Sequence, residues 1–277
     1  MSGAGGQPDT DGGMPPIDDG GEVQMSDGCG QTATLEDSPS TNSFVYNTIQ
    51  SGGAERRFIM RLPQNYDSSQ PYRLILGFHG ATNNATHVAG NPAFFGLYEL
   101  AEDSTIFIAP EAVEGIWSAD ADVTFVDDIL SRVEAELCID TTRIIVQGFS
   151  QGAAMARTLA CERPDVFRAA VGHSAGGLGL PSECEPIPYL GSLGTQESMG
   201  NGQSGQTDFF AMAAGCTIEQ FPTAPGGGHI CSDYAGCSDG NPVRWCSFDA
   251  QHTPLPNDSG EGSSWMPEEV WSFLSQF

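Results

Sequence analysis

In the segment Ile144-Ile145-Val146-Gln147-Gly148-Phe149-Ser150-Gln151-Gly152-Ala153-Ala154-Met155-Ala156, an apolar β-branched run enters a Gly-x-Ser-x-Gly pentapeptide and a run of small residues leaves it. β-Branched side chains fit the pleated strand, and alanine is the best helix former. The junction therefore predicts a sharp strand-to-helix turn with Ser150 at its apex. Such a turn pushes the serine hydroxyl above the sheet, with close packing that only glycine allows on either side. The N–H of the next residue, Gln151, then points into the same space and can stabilise a developing oxyanion. The pentapeptide alone occurs by chance in many proteins, so its flanking strand and helix carry the argument.

Outward from this turn, strands and helices alternate. Candidate strands are Arg57 to Arg61, Arg73 to Phe78, Thr105 to Ala109, Arg143 to Gln147, Ala169 to His173 and Tyr189 to Gly194. Several are short, apolar and β-branched, as buried parallel strands are. Helical patterns lie between them. Asp122 to Leu137 carries Phe125, Val126, Ile129, Leu130, Val133 and Leu137 at the 3.6-residue period. Gln151 to Glu162 follows the turn, Asp208 to Ala214 is shorter, and Pro267 to Phe277 closes the chain with proline in a first-turn position. The pattern predicts one α/β domain over residues 28–277 with a doubly wound, mostly parallel central sheet. Residues 1–27, rich in glycine, proline and aspartate, read as a flexible acidic linker.

A serine hydroxyl needs a base, and the base needs an orienting acid. In the α/β hydrolases, which this serine turn resembles, these partners come in the order serine, acid, histidine. Of five histidines, His229 and His252 lie late enough. His252 ends a strand-like run from Trp245 that is stapled by Cys246, whereas His229 follows three glycines, a mobile setting that suits a base poorly. His252 is the expected base. The expected acid is Glu197, which follows the Gly194-Thr195 end of a strand. Asp208 is its rival, with a helix N-terminal charge as its alternative role. Asp249 lies too near His252 in sequence to be preferred. A second oxyanion donor is expected where Leu74 to Phe78 ends in His79-Gly80-Ala81-Thr82, from the N–H of Ala81, with Thr82 adding its N–H or hydroxyl. His79 reads as structural. Trp117 is a candidate lining of a substrate site, set against a half-buried packing role.

The chain has 277 residues, 39% of them hydrophobic, and a formal charge of -26; its 10 basic residues are all arginine. So acidic a surface repels nucleic-acid phosphates and anionic membranes. No run approaches the roughly 20 apolar residues of a spanning helix. Eight cysteines without paired C-x-x-C spacing argue for disulfides rather than a zinc site, and hence for an oxidising compartment and export. Their connectivity is not legible. The glycine-rich region around Cys231, Cys237 and Cys246 shows no regular periodicity and needs covalent staples. No signal peptide follows Met1, so the chain reads as a mature or trimmed form, expected to act as a monomer.

With these residues placed, the chain resembles the secreted esterases that group feruloyl esterases with polyhydroxybutyrate depolymerase-like proteins, within the carbohydrate esterase family 1 type of α/β hydrolase. The resemblance runs from Cys29 to the C-terminus. It rests on Cys29-Gly30, the Arg57 to Asp67 segment, Gly77-Phe78-His79-Gly80, Asp122 to Asp127, Gly148 to Gly152, and the run from Gly236-Cys237 through Pro242-Val243-Arg244-Trp245-Cys246 to His252-Thr253. It implies an α/β-hydrolase fold, Ser150 as nucleophile, His252 as base and no metal or organic cofactor. The implied substrate is an ester of a hydroxycinnamate with a plant cell-wall sugar. Where the family usually has aspartate after the Gly-Thr turn, this chain has Glu197. A polyester depolymerase or an acetylxylan esterase would use the same chemistry. An inactive hydrolase fold that binds carbohydrate is a reading of another class, and the serine, carboxylate and histidine in working order stand against it.

Overall fold

The computed structural model describes residues 22–176, 178–197 and 205–277. Among these described residues nine strands run in chain order: β1 Tyr46–Ser51, β2 Ala54–Arg61, β3 Tyr72–Phe78, β4 Thr105–Pro110, β5 Ile139–Phe149, β6 Ala169–His173, β7 Tyr189–Gly194, β8 His229–Asp233 and β9 Val243–Phe248. Six α-helices accompany them: α1 Ala85–Ala89, α2 Leu97–Ala101, α3 Ala119–Glu136, α4 Gln151–Glu162, α5 Gly205–Ala213 and α6 Met266–Leu274. The strands form one sheet in the order β1-β2-β4-β3-β5-β6-β7-β9-β8. Neighbours from β4 to β9 pair in parallel, and antiparallel pairs close both edges.

Side chains alternate across each strand and so feed two cores. Leu74, Leu76 and Phe78 join Val126, Ile129, Met155 and Phe210 on the face covered by α3, α4 and α5. Ile75 and Ile145 join Val88, Leu97, Val270 and Phe273 on the face covered by α1, α2 and α6. This is the doubly wound arrangement expected from the sequence. α3 begins earlier than its apolar period suggests. The Asp122 carboxylate accepts from the Ser118 N–H at 2.7 Å and from buried Arg56 of β2 at 2.6 Å, which pins the first turn to the sheet.

Two expectations are corrected here. Residues 1–21 of the expected linker lie outside the described residues, but its last part is docked. The Thr141 N–H donates to the Gln24 carbonyl at 2.8 Å and the Ser26 N–H to Ile139 at 2.9 Å. The start of β5 carries backbone groups that need partners, and residues 24–26 supply them. His229, expected in a mobile stretch, instead opens the edge strand β8. There Cys231 lies opposite Cys246 of β9, and a disulfide joins the two. The remaining disulfides are Cys29–Cys138, Cys161–Cys184 and Cys216–Cys237.

Candidate active site

The parallel strands all end at one edge, and the expected site residues follow those ends: His79 to Thr82 after β3, Ser150 after β5, Glu197 after β7 and His252 after β9. Crevices at the carboxyl ends of such strands are where α/β sheets bind ligands.

Ser150 forms the apex of the turn between β5 and α4, with φ 57° and ψ −119°. A non-glycine residue so held costs on the order of 1–3 kcal/mol. Neighbours over-determine it: its N–H donates to the His173 carbonyl at 2.9 Å, and its carbonyl accepts from Gly176 at 3.1 Å. The two flanking glycines are steric necessities. A Cβ on Gly148 would stand 2.2 Å from the Gly152 oxygen, and one on Gly152 would stand 2.2 Å from the Phe78 oxygen. Ser150 itself remains half-buried and reachable.

The Glu197 carboxylate is buried at 6% exposure yet fully occupied. Oε1 accepts from the Ser174 hydroxyl at 2.6 Å and the Gly194 N–H at 2.9 Å, and Oε2 lies 2.6 Å from His252 Nδ1. Burial pushes this carboxyl upward, but the bonds from His252, Ser174 and Gly194 outweigh it and hold the group below the usual glutamate value. The carboxylate thus fixes a proton on Nδ1 and frees Nε2 to accept one. The imidazole lies beside the serine turn, because the Phe149 ring packs on it at 4.6 Å between centroids. Asp208 is elsewhere: it accepts from the Tyr234 hydroxyl within the first turn of α5. Sequence reasoning missed Asp249. Its carboxylate accepts from the Thr195 hydroxyl at 3.1 Å, Gln196 Nε2 at 3.0 Å and the Gly227 N–H at 2.6 Å, so it ties the turn carrying Glu197 to the loop carrying His252.

The loop after β3 packs directly against this turn, since a Cβ on Gly80 would lie 3.5 Å from the Ser150 Cβ. Among the described residues the Ala81 N–H has no protein acceptor. The Gln151 N–H, in the first turn of α4, has none within its helix. Both amides are free to meet an oxyanion. The Thr82 N–H is not: it donates to the Gly115 carbonyl at 2.8 Å, which leaves that residue only its hydroxyl. His79 is fully buried, its Nε2 accepting from the Ala112 N–H at 3.1 Å and its Nδ1 lying 2.8 Å from the Gly80 carbonyl. Those partners require the neutral Nδ1–H form, and burial lowers its pKa to match. Trp117 corrects its expectation as well. At 2% exposure it sits in the core and lines no open surface, because its indole N–H is turned inward to the His79 carbonyl.

A cavity of about 240 Å³ has apolar walls from Leu180, Tyr189, Leu193 and Trp245 and polar atoms from Ser192 and Gln206; Ser150, Glu197 and His252 do not line it. Among the described residues, the one grouping with metal-ligand spacing is Cys231, Cys246 and Glu269, and its two sulfurs are joined in a disulfide.

A mostly parallel sheet, a strained serine between strand and helix, and a carboxylate–imidazole pair on the same edge define an α/β hydrolase. No family model matches the chain. Curated relatives do. The chain is 34% identical to feruloyl esterase C of Emericella nidulans over 260 residues, 90% of each protein. It is 31% identical to feruloyl esterase D of Neurospora crassa over 268 residues, 91% of this chain and 90% of the relative. It belongs to the feruloyl esterase family. Solved structures agree on the fold: an acetyl xylan esterase from Aspergillus awamori matches 84% of this chain and 100% of its own at TM-score 0.59 and 12% identity. A CE1 ferulic acid esterase from Anaeromyces mucronatus matches 69% and 87% at TM-score 0.51 and 18% identity.

Proposed function

We propose that the chain hydrolyses esters of hydroxycinnamates with plant cell-wall sugars through an acyl-enzyme on Ser150. The observation that carries this is the 2.6 Å contact between Glu197 and His252 Nδ1 beside the Ser150 turn, in a member of the feruloyl esterase family. His252 Nε2 takes the hydroxyl proton as Oγ adds to the ester carbon, and the carbonyl oxygen becomes an oxyanion held by the N–H groups of Ala81 and Gln151. Collapse breaks the bond to the sugar oxygen, which leaves with the proton from His252. Water then adds to the acyl carbon, again giving its proton to His252. The hydroxycinnamic acid departs as that proton returns to Ser150. Glu197 stays ionised throughout and balances the transient imidazolium. Four disulfides support work in an oxidising, extracellular setting. No described helix is long and apolar enough to cross a membrane.

Hydrolysis of methyl ferulate by the wild type and by Ser150→Ala tests the proposal. The alanine variant is expected to lose on the order of 10⁴- to 10⁶-fold in kcat. A wild type inert on methyl ferulate but active on a polyhydroxybutyrate film or an acetylated xylan would overturn the substrate assignment. An alanine variant within tenfold of wild type would overturn the mechanism.

A further inference from the structure

Resting on that esterase reading, the geometry points to a function for three buried side chains that touch no substrate. We infer that Trp117, Gln151 and His79 form a brace fixing the separation of the two oxyanion donors. These donors come from different elements, Ala81 from the loop after β3 and Gln151 from the first turn of α4. An oxyanion hole works only if both amides aim at one point before charge develops. Trp117 joins the two. Its indole N–H donates to the His79 carbonyl at 2.7 Å, two residues before Ala81. Its backbone N–H donates to Gln151 Oε1 at 3.1 Å, and its carbonyl lies 3.4 Å from Gln151 Nε2.

The rest of the brace keeps Trp117 in place. Its ring packs on His79 at 4.7 Å and edge-on to Phe78 at 5.2 Å. His79 accepts from the Ala112 N–H and Thr82 donates to the Gly115 carbonyl, so the chain leading into Trp117 is fastened to the donor loop at both ends. Glu114 and Thr82 adopt positive φ angles, 51° and 65°, to make that junction. The Gln151 side chain therefore differs in role from its own N–H. The amide meets the oxyanion, while the carboxamide, 9% exposed as a residue, sets where that amide stands.

The test uses Trp117→Phe, which keeps an aromatic ring but deletes the indole N–H, and Gln151→Met, which keeps length but deletes both carboxamide contacts. Each should lower kcat on methyl ferulate about 10- to 100-fold, the scale set by misplacement of a reacting group, with KM within about threefold. An arylboronic acid supplies a readout that a merely structural role would not move. Ser150 Oγ bonds to boron as its proton passes to His252, leaving a boronate hydroxyl in the oxyanion position. Affinity for it should fall in step with kcat, while inhibition by free ferulate stays put. The double variant should fall no more than about threefold below the worse single, because one brace is broken once. Unchanged boronate affinity, or fully multiplicative losses, would overturn the brace. If one variant fails to fold, the other tests the same joint from its opposite side. A wild type inactive on feruloyl esters would remove the esterase reading instead; an active wild type with unaffected variants removes only the brace.

Discussion

Replacing Glu197 by glutamine exchanges a carboxylate oxygen for an NH2 group, and the local hydrogen bonds decide which oxygen is lost. Oε1 receives two donors, from Ser174 and Gly194, so only the amide oxygen can occupy that place. The new NH2 group must then face His252 Nδ1, where the wild type has an acceptor at 2.6 Å. Two donors cannot share that contact. The imidazole adopts the other tautomer, with its proton on Nε2, the atom proposed to take the proton of Ser150. A carboxamide also leaves the transient imidazolium without its counter-charge. The same swap in a serine–histidine–aspartate triad costs about 10⁴-fold in kcat, or roughly 5.5 kcal/mol. A loss of that size in kcat on methyl ferulate, with KM nearly unchanged, is expected of Glu197→Gln. Glu197→Asp keeps the charge but shortens the arm by about 1.5 Å. It cannot serve Gly194 and His252 together and should fall about 10²-fold. Linkage gives a second readout. The folded pKa of Glu197 lies below its ordinary value, so its stabilisation is present above about pH 4.3 and is lost as pH falls through the folded value. The stability gap between wild type and Glu197→Gln should narrow in that acid range. A glutamine variant within tenfold of wild-type kcat would refute the reasoning.

Asp249→Asn weakens the tie between the acid turn and the histidine loop, and should lower kcat about tenfold with little change in KM; wild-type kinetics would deny Asp249 that role. Asp208→Asn should stay within about threefold of wild type, since its partner is Tyr234, and a loss comparable to that of Glu197→Gln would transfer the acid role. His173 is fully buried, which lowers its pKa to about 4. The unfolded chain takes up that proton near pH 6.5, so stability falls as pH drops through 6.5 and the loss saturates below about 4. Urea titrations should show His173→Gln losing about 3 kcal/mol less than wild type between pH 7 and pH 4; equal losses would show that this histidine is not the cause. Removing Cys231–Cys246 opens a loop with a sequence separation of 15. Cys231→Ser with Cys246→Ser should cost about 3 kcal/mol, and unchanged thermal unfolding would contradict the need for a staple there.

The central strands and long helices were legible because burial on both faces writes itself into runs such as Leu74-Ile75-Leu76 and Ile144-Ile145-Val146. The edges were not. β8 is only half-buried along His229 to Ser232 and comes after three glycines, and it becomes a strand through its ladder and disulfide to β9. β1, Tyr46–Ser51, carries polar residues on an edge and gives an equally weak signal. In the site, the order serine, acid, histidine selected three residues that stand on one edge because each follows a strand end, and of these Glu197 and His252 are in contact. Asp249, Ser174 and the Trp117 brace were not legible. Their roles depend on side chains 20 to 60 residues away coming within hydrogen-bond distance, as the separations of 54 for Asp249–Thr195, 23 for Ser174–Glu197 and 34 for Trp117–Gln151 record. Thr82 was half read: the loop was found, but the partner of its N–H lies in a segment that only the fold brings near.

Trapping the covalent intermediate tests the account most directly. Rapid acid quenching during turnover of a feruloyl ester, followed by peptide mass spectrometry, should find one feruloyl group on the peptide containing Ser150, and none in Ser150→Ala. Turnover with the acyl group on another side chain, or continued hydrolysis by Ser150→Ala without any adduct, would contradict it.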